Sequence, residues 1–152
     1  VIEWIKEAIF MVAIGSDHGG YDLKELVIKH LEEKGVDVND MGCYDKNSCD
    51  YPVYGKAVAK AVADGSCEKG IVICTTGIGI SITANKVKGI RAALCADTLS
   101  AKLTRLHNDA NVLAMGAGIV GPNLAMEIVD TFLDTEFSGE ERHQRRIDAI
   151  ED

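Results

Sequence analysis

Short apolar runs alternate along this chain with longer stretches in which apolar residues recur at helical spacing. Met11–Gly15 predicts a strand, and the segment after it carries Leu23, Leu26, Val27, His30 and Leu31 on one helical face, closed by Gly35. Val36–Val38 predicts a second strand. A polar loop through Cys43, Asp45, Asn47 and Asp50 leads to Pro52, and Ala57, Val58, Ala61 and Val62 mark a second helix. Gly70–Cys74 predicts a buried third strand that runs into a helix opened by Gly77 and Gly79. Gly89–Cys95 predicts a fourth strand, and Leu99, Leu103 and Leu106 stripe a fourth helix. Val112–Met115 predicts a fifth strand, and Leu124, Ile128, Val129 and Phe132 form the last long stripe. Strands alternating with helices at this spacing imply βαβ units, hence one α/β domain in three layers around a parallel sheet. Residues 1–10 precede this pattern and read as an extension, a tag remnant or a mis-set start, with an extra N-terminal helix as the alternative, and 11–152 as the domain.

Composition removes several classes of function. A formal net charge of −8 argues against nucleic acid or an anionic membrane surface as the main partner. No apolar run approaches the ~20 residues a spanning helix needs. Five cysteines at irregular spacing do not suit a secreted disulfide framework, which points to a reducing cytoplasm. Cys43 and Cys49 hint at a metal loop, but no further cysteine or histidine pair completes a zinc site.

The chemistry gathers where parallel strands end, since ligands of open α/β sheets bind outside the carboxyl ends of the strands. Asp17-His18-Gly19-Gly20 follows the first strand, Cys74–Gly79 the third and Gly116-Ala117-Gly118 the fifth. A helix N-terminus there attracts anions and favours a thiolate, so Cys74 sits beside amides able to hold a negative oxygen. The competing reading is a structural cysteine before an ordinary glycine turn. His18 beside Asp17 reads equally as a helix-cap turn, and His107 as a charge at a helix C-terminus. Arg142 and Arg146 share a face if the tail is helical, which suits a phosphate but also a solvated, ion-paired helix. A P-loop is absent, and Gly77-x-Gly79 lacks the third glycine of a dinucleotide fingerprint. Ile80 stands where a cysteine phosphatase carries its arginine, and no resolving thiol follows Cys74.

Gly15-Ser16-Asp17-His18-Gly19-Gly20, Asp50-Tyr51-Pro52, Cys74 to Ser81, Ala84-Asn85-Lys86, Gly89 to Leu94, His107 to Leu113 and Arg142-His143-Gln144-Arg145-Arg146 occur in this order. Together they resemble the type B ribose-5-phosphate isomerases of the ribose/galactose phosphate-isomerase family, over Met11 to about Ile150. The resemblance implies a Rossmann-like α/β/α sandwich around a five-stranded parallel sheet. It implies interconversion of aldose and ketose phosphates through an enediolate, with no metal or organic cofactor. By this resemblance Cys74 is the base, Thr76 stands beside the sugar oxygens and His107 opens the furanose ring. Asp17, His18, Tyr51 and Asn108 bind substrate, the backbone from Thr75 through Gly77, Ile78 and Gly79 holds the oxyanion, and Arg142 and Arg146 hold the phosphate. The resemblance also implies a homodimer, or a tetramer, with Cys74 and His107 of one site on different protomers.

Three departures bear on the substrate. The usual Cys-Gly-Thr-Gly is here Cys74-Thr75-Thr76-Gly77, Gly118 stands where many members place a phosphate-binding arginine, and Ser138-Gly139-Glu140-Glu141 replaces the common run before Arg142. Ribose 5-phosphate and ribulose 5-phosphate are the expected pair, with allose 6-phosphate or galactose 6-phosphate as the alternative. A non-catalytic phosphosugar-binding module is the reading from another class. It would need the glycines and arginines but has no use for Cys74 together with His107.

Overall fold

The computed structural model describes residues 10–152, so the segment 1–9 lies outside the described residues; Phe10 packs against the edge of the core. Five strands form one parallel sheet: β1 (Met11–Ser16), β2 (Asp37–Asp40), β3 (Lys69–Cys74), β4 (Ala92–Leu94) and β5 (Val112–Gly116), in the order β2-β1-β3-β5-β4. Among the described residues six α-helices connect and cover it: α1 (Tyr21–Glu33), α2 (Tyr51–Ala63), α3 (Ile78–Asn85), α4 (Thr98–Asn108), α5 (Pro122–Asp134) and α6 (Glu141–Glu151). The three central strands are buried on both faces, which is why they read as near-continuous apolar runs. On one face Ile14, Ile71, Ile73, Leu113 and Met115 meet Val27 of α1 and Ile128 and Phe132 of α5. On the other, Ala13, Val72 and Ala114 meet Val58 of α2 and Ile80 of α3. The α/β/α sandwich around five parallel strands is thus the fold that the sequence leads one to expect.

Between β1 and β3 the connections leave in opposite directions, to β2 on one side and towards β4 on the other, which makes their carboxyl ends the crevice for a ligand. The Asp17, Cys74 and Gly116 loops do converge there.

Several stripes differ from expectation. β2 is displaced to Asp37–Asp40, and β4 keeps only Ala92–Leu94. The reason for the short β4 is side-chain competition for its backbone. The Asn85 amide both donates to the Ala92 carbonyl and accepts from the Ala92 N–H, while Asn111 treats Gly89 and Arg91 the same way. On α1, Leu26 is exposed and Lys24 is fully buried in its place. The Lys24 ammonium sits 2.8 Å from Asp40 and 3.0 Å from Glu25, near the rings of Tyr21 and Tyr44, so the buried charge is paired. On α4 the core side is Ala101 and Arg105, whereas Leu99 and Leu103 face outward; on α5 Ala125 takes the inner place of Leu124. Ile78 and Ile82 of α3 and Leu94 of the edge strand β4 are exposed as well. No helix among the described residues is long and apolar enough to cross a membrane.

Candidate active site

The β3 run delivers Cys74 almost fully buried at the carboxyl end of the central strand. Turning the chain from β3 into α3 requires a left-handed residue, supplied by Gly77 at φ 78°. A side chain there would also strike the backbone of Met115 and Gly116, 2.6–2.8 Å from an added Cβ. The turn brings the Gly77 N–H to 3.1 Å from Cys74 Sγ, a contact that stabilises negative charge on sulfur. Ile78 N–H donates to Thr76 Oγ1 at 3.2 Å. Two of the five amides expected to face an oxyanion are therefore used within the loop. Those of Thr75 and Thr76 have no partner among the described residues.

The neighbouring loops close on this turn. Ala117 N–H donates to the Cys74 carbonyl at 2.9 Å, and Gly118 N–H to the Thr75 carbonyl at 2.8 Å. From the other side Gly19 lies against Thr75 Oγ1, so the Thr75 side chain is wedged between the loops that follow β1 and β5. Tyr51, at the start of α2, lays its ring over Gly79, where an added Cβ would fall 2.5 Å from Cζ. Asp17 is buried with Oδ1 accepting the Gly20 N–H at 3.1 Å, while His18 is exposed and its Nδ1 accepts the Cys49 N–H at 3.2 Å. Asp17, His18, Tyr51, Cys74, Thr75, Thr76, Gly77, Ile78 and Gly79 thus form one rim. Burial pushes the thiols of Cys43, Cys67 and Cys95 up, that of Cys95 to about 11. All five cysteines are free, and no three His, Cys, Asp or Glu side chains converge as a metal site among the described residues.

The remaining candidates gather elsewhere. His107 and Asn108 end α4, and α6 packs across them so that the His107 and His143 rings stack with centroids 4.4 Å apart. His143 is buried; burial, with His107 and Arg142 nearby, holds its imidazole below the usual range. Arg142 and Arg146 lie one turn apart on the exposed side of α6. Arg142 pairs with Glu140 at 2.9 Å, and Arg146 has no ion pair among the described residues. An open groove of about 900 Å³ runs along Asn85–Cys95 and the His107 end of α4.

These two clusters stand at opposite ends of the sheet. Gly70 pairs with Val112 and Cys74 with Gly116, and the chain reaches Val112 directly after the His107–Asn111 turn. Cys74 lies at the carboxyl end and His107 near the amino end, so the rise of β3 from Gly70 alone separates them by about 13 Å. One protomer does not bring them together. No single-residue signal marks His143 or Arg91, because both act through packing and backbone contacts.

The family model described as ribose/galactose isomerase matches residues 12–150. Ribose-5-phosphate isomerase B of Escherichia coli is 50% identical over 139 residues, covering 91% of this chain and 93% of that protein. D-erythrulose-4-phosphate isomerase of Pectobacterium atrosepticum is 46% identical over 130 residues, covering 84% and 85%. The solved structure of ribose-5-phosphate isomerase B from Clostridium thermocellum superposes with a TM-score of 0.92 at 51% identity, covering 93% of this chain and 95% of that one.

Proposed function

Because the chain belongs to the ribose/galactose isomerase family, we propose that it interconverts ribose 5-phosphate and ribulose 5-phosphate at a site shared between two protomers. It is an aldose–ketose sugar-phosphate isomerase. In the proposed mechanism the Cys74 thiolate takes the proton from C2 of the open-chain aldose and returns it to C1. The enediolate oxygen between these steps lies against the Thr75 and Thr76 amides, and the Thr76 hydroxyl moves a proton between O1 and O2. Asp17, His18 and Tyr51 orient the sugar hydroxyls, with the amides of Gly77, Ile78 and Gly79 shaping the turn. The ring form has no free carbonyl, so His107, beside Asn108, opens the furanose from the neighbouring protomer. Arg142 and Arg146 accompany it and hold the phosphate.

The observation that carries this reading is the Cys74 thiol at the strand end, with the Gly77 amide on sulfur and two unengaged amides beside it. The opposed placement of the two clusters, together with the exposed apolar side chains of Ile78, Ile82, Leu94, Leu99 and Leu103, supports a homodimer. Five free cysteines suit a reducing cytoplasm. A coupled assay across four-, five- and six-carbon aldose phosphates tests the substrate: turnover is expected to be best with ribose 5-phosphate, and a higher kcat/KM for a six-carbon sugar would overturn that choice.

Two further results are expected. Arg146→Ala should raise KM for ribose 5-phosphate by roughly 10–100-fold, the loss of one or two charged hydrogen bonds, with kcat little changed. Equal losses on phosphorylated and unphosphorylated sugar would make Arg146 structural. Exhaustive chelation, with metal content checked by elemental analysis, should leave the rate unchanged, because backbone amides carry the enediolate charge. Activity lost on chelation and restored by a divalent ion would contradict this.

A further inference from the structure

Arg91 stands just before the short β4, and its guanidinium ties three segments around the His107 end of α4. Its Nε donates to the Asn108 carbonyl at 2.8 Å and its Nη2 to the Asp109 carbonyl at 2.9 Å. Its Nη1 meets Glu151 at the far end of α6 at 2.5 Å. Its own N–H donates to Asn111 Oδ1 at 2.9 Å, so the backbone that carries the fork is itself fixed. The side chain is 17% exposed and lines the groove beside His107 and Asn108.

The turn it grips closes α4. Asp109, the C-cap of α4, has φ 45°, the left-handed conformation that aspartate and asparagine adopt more readily than other non-glycine residues. Arg105 fixes the same turn through Asp109 Oδ1 and the Ala110 carbonyl, both at 2.7 Å, but it is buried and its Nε is spent on the Thr135 carbonyl after α5. Carbonyls at a helix C-terminus are unpaired within the helix and need an outside donor. Arg91 supplies that donor on the side where His107 and Asn108 lie, and through Glu151 it also anchors the helix whose His143 stacks on His107. A lysine cannot reproduce this, since one ammonium does not span two carbonyls and a carboxylate in fixed planar geometry.

We propose that Arg91 is a positioning residue for ring opening: it holds the α4 terminus and α6 so that His107 meets the furanose oxygen in the partner's site. This rests on the ring-opening role proposed for His107. The substrate pair offers a way to separate that role from general structure. Ribose 5-phosphate is mainly a ring, whereas ribulose 5-phosphate cannot close a furanose, because the oxygen on C5 is esterified. Exchange of its C1 hydrogens with solvent therefore needs Cys74 but no ring opening.

The test measures two rates in wild type, Arg91→Ala, Arg91→Lys and His107→Ala. One is kcat for ribose 5-phosphate isomerisation, and the other is C1 hydrogen–deuterium exchange of saturating ribulose 5-phosphate, read by NMR in D₂O. Both Arg91 variants should lose about 10–100-fold in isomerisation, the scale of a small misplacement of a reacting group, with exchange unchanged. Equal loss in both rates by the folded, dimeric Arg91→Lys protein, or no loss in either, overturns the proposal; that variant decides if Arg91→Ala does not fold. If His107→Ala itself fails to lose isomerisation selectively, the ring-opening assignment is the one that falls.

Discussion

Cys74→Ala protein is expected to fold and bind sugar phosphate while losing on the order of 10²–10⁴-fold or more in turnover, the scale of a missing general base. Folding should survive because the side chain is small, nearly fully buried, and makes one polar contact, to the Gly77 amide. Alanine leaves the strand end and the amides of Thr75 and Thr76 in place, so affinity for the substrate is largely kept. The thiols of Cys43, Cys67 and Cys95 are pushed up by burial and belong to the core or the second loop. Steady-state kinetics alongside calorimetric binding of ribulose 5-phosphate separates the two effects. Near-normal turnover would remove Cys74 from the mechanism, and lost binding would make it structural.

The second large effect concerns assembly. Cys74→Ala and His107→Ala proteins, each inactive on ribose 5-phosphate, should complement when unfolded together and refolded. Random reassortment makes half of the dimers mixed, and each mixed dimer carries one intact and one doubly damaged site, so activity should recover to about a quarter of wild type. The basis is the placement of the two residues at opposite ends of the β3–β5 ladder. If tagged co-purification shows that mixed dimers form and no activity returns, the shared site is wrong.

Much of this arrangement is legible in the residues themselves. The β-branched run into Cys74, the glycine turn after it and the loops after β1 and β5 predict the rim, because buried parallel strands and left-handed turns leave strong local marks. The α4 stripe misleads for a physical reason: Leu99, Leu103 and Leu106 obey helical periodicity, but the face they define points away from the protomer core, and the inner face is built from Ala101 and the hydrogen-bonded Arg105. Periodicity reports that a face is covered, not by what. The end of β4 is misjudged because Asn85 and Asn111 reach across the chain to occupy its backbone. Arg91 and His143 stay hidden in the same way, since their partners lie between 17 and 60 residues off for Arg91 and on another helix for His143.

The most direct test of the account is proton exchange by the unmodified enzyme. Ribose 5-phosphate equilibrated with the wild-type protein in D₂O should yield ribulose 5-phosphate carrying solvent deuterium at C1, and the Cys74→Ala protein should show none over the same time. Formation of the ketose with its migrating hydrogen fully retained through prolonged equilibration, or deuterium entry undiminished in the Cys74→Ala protein, would contradict an enediolate formed by Cys74.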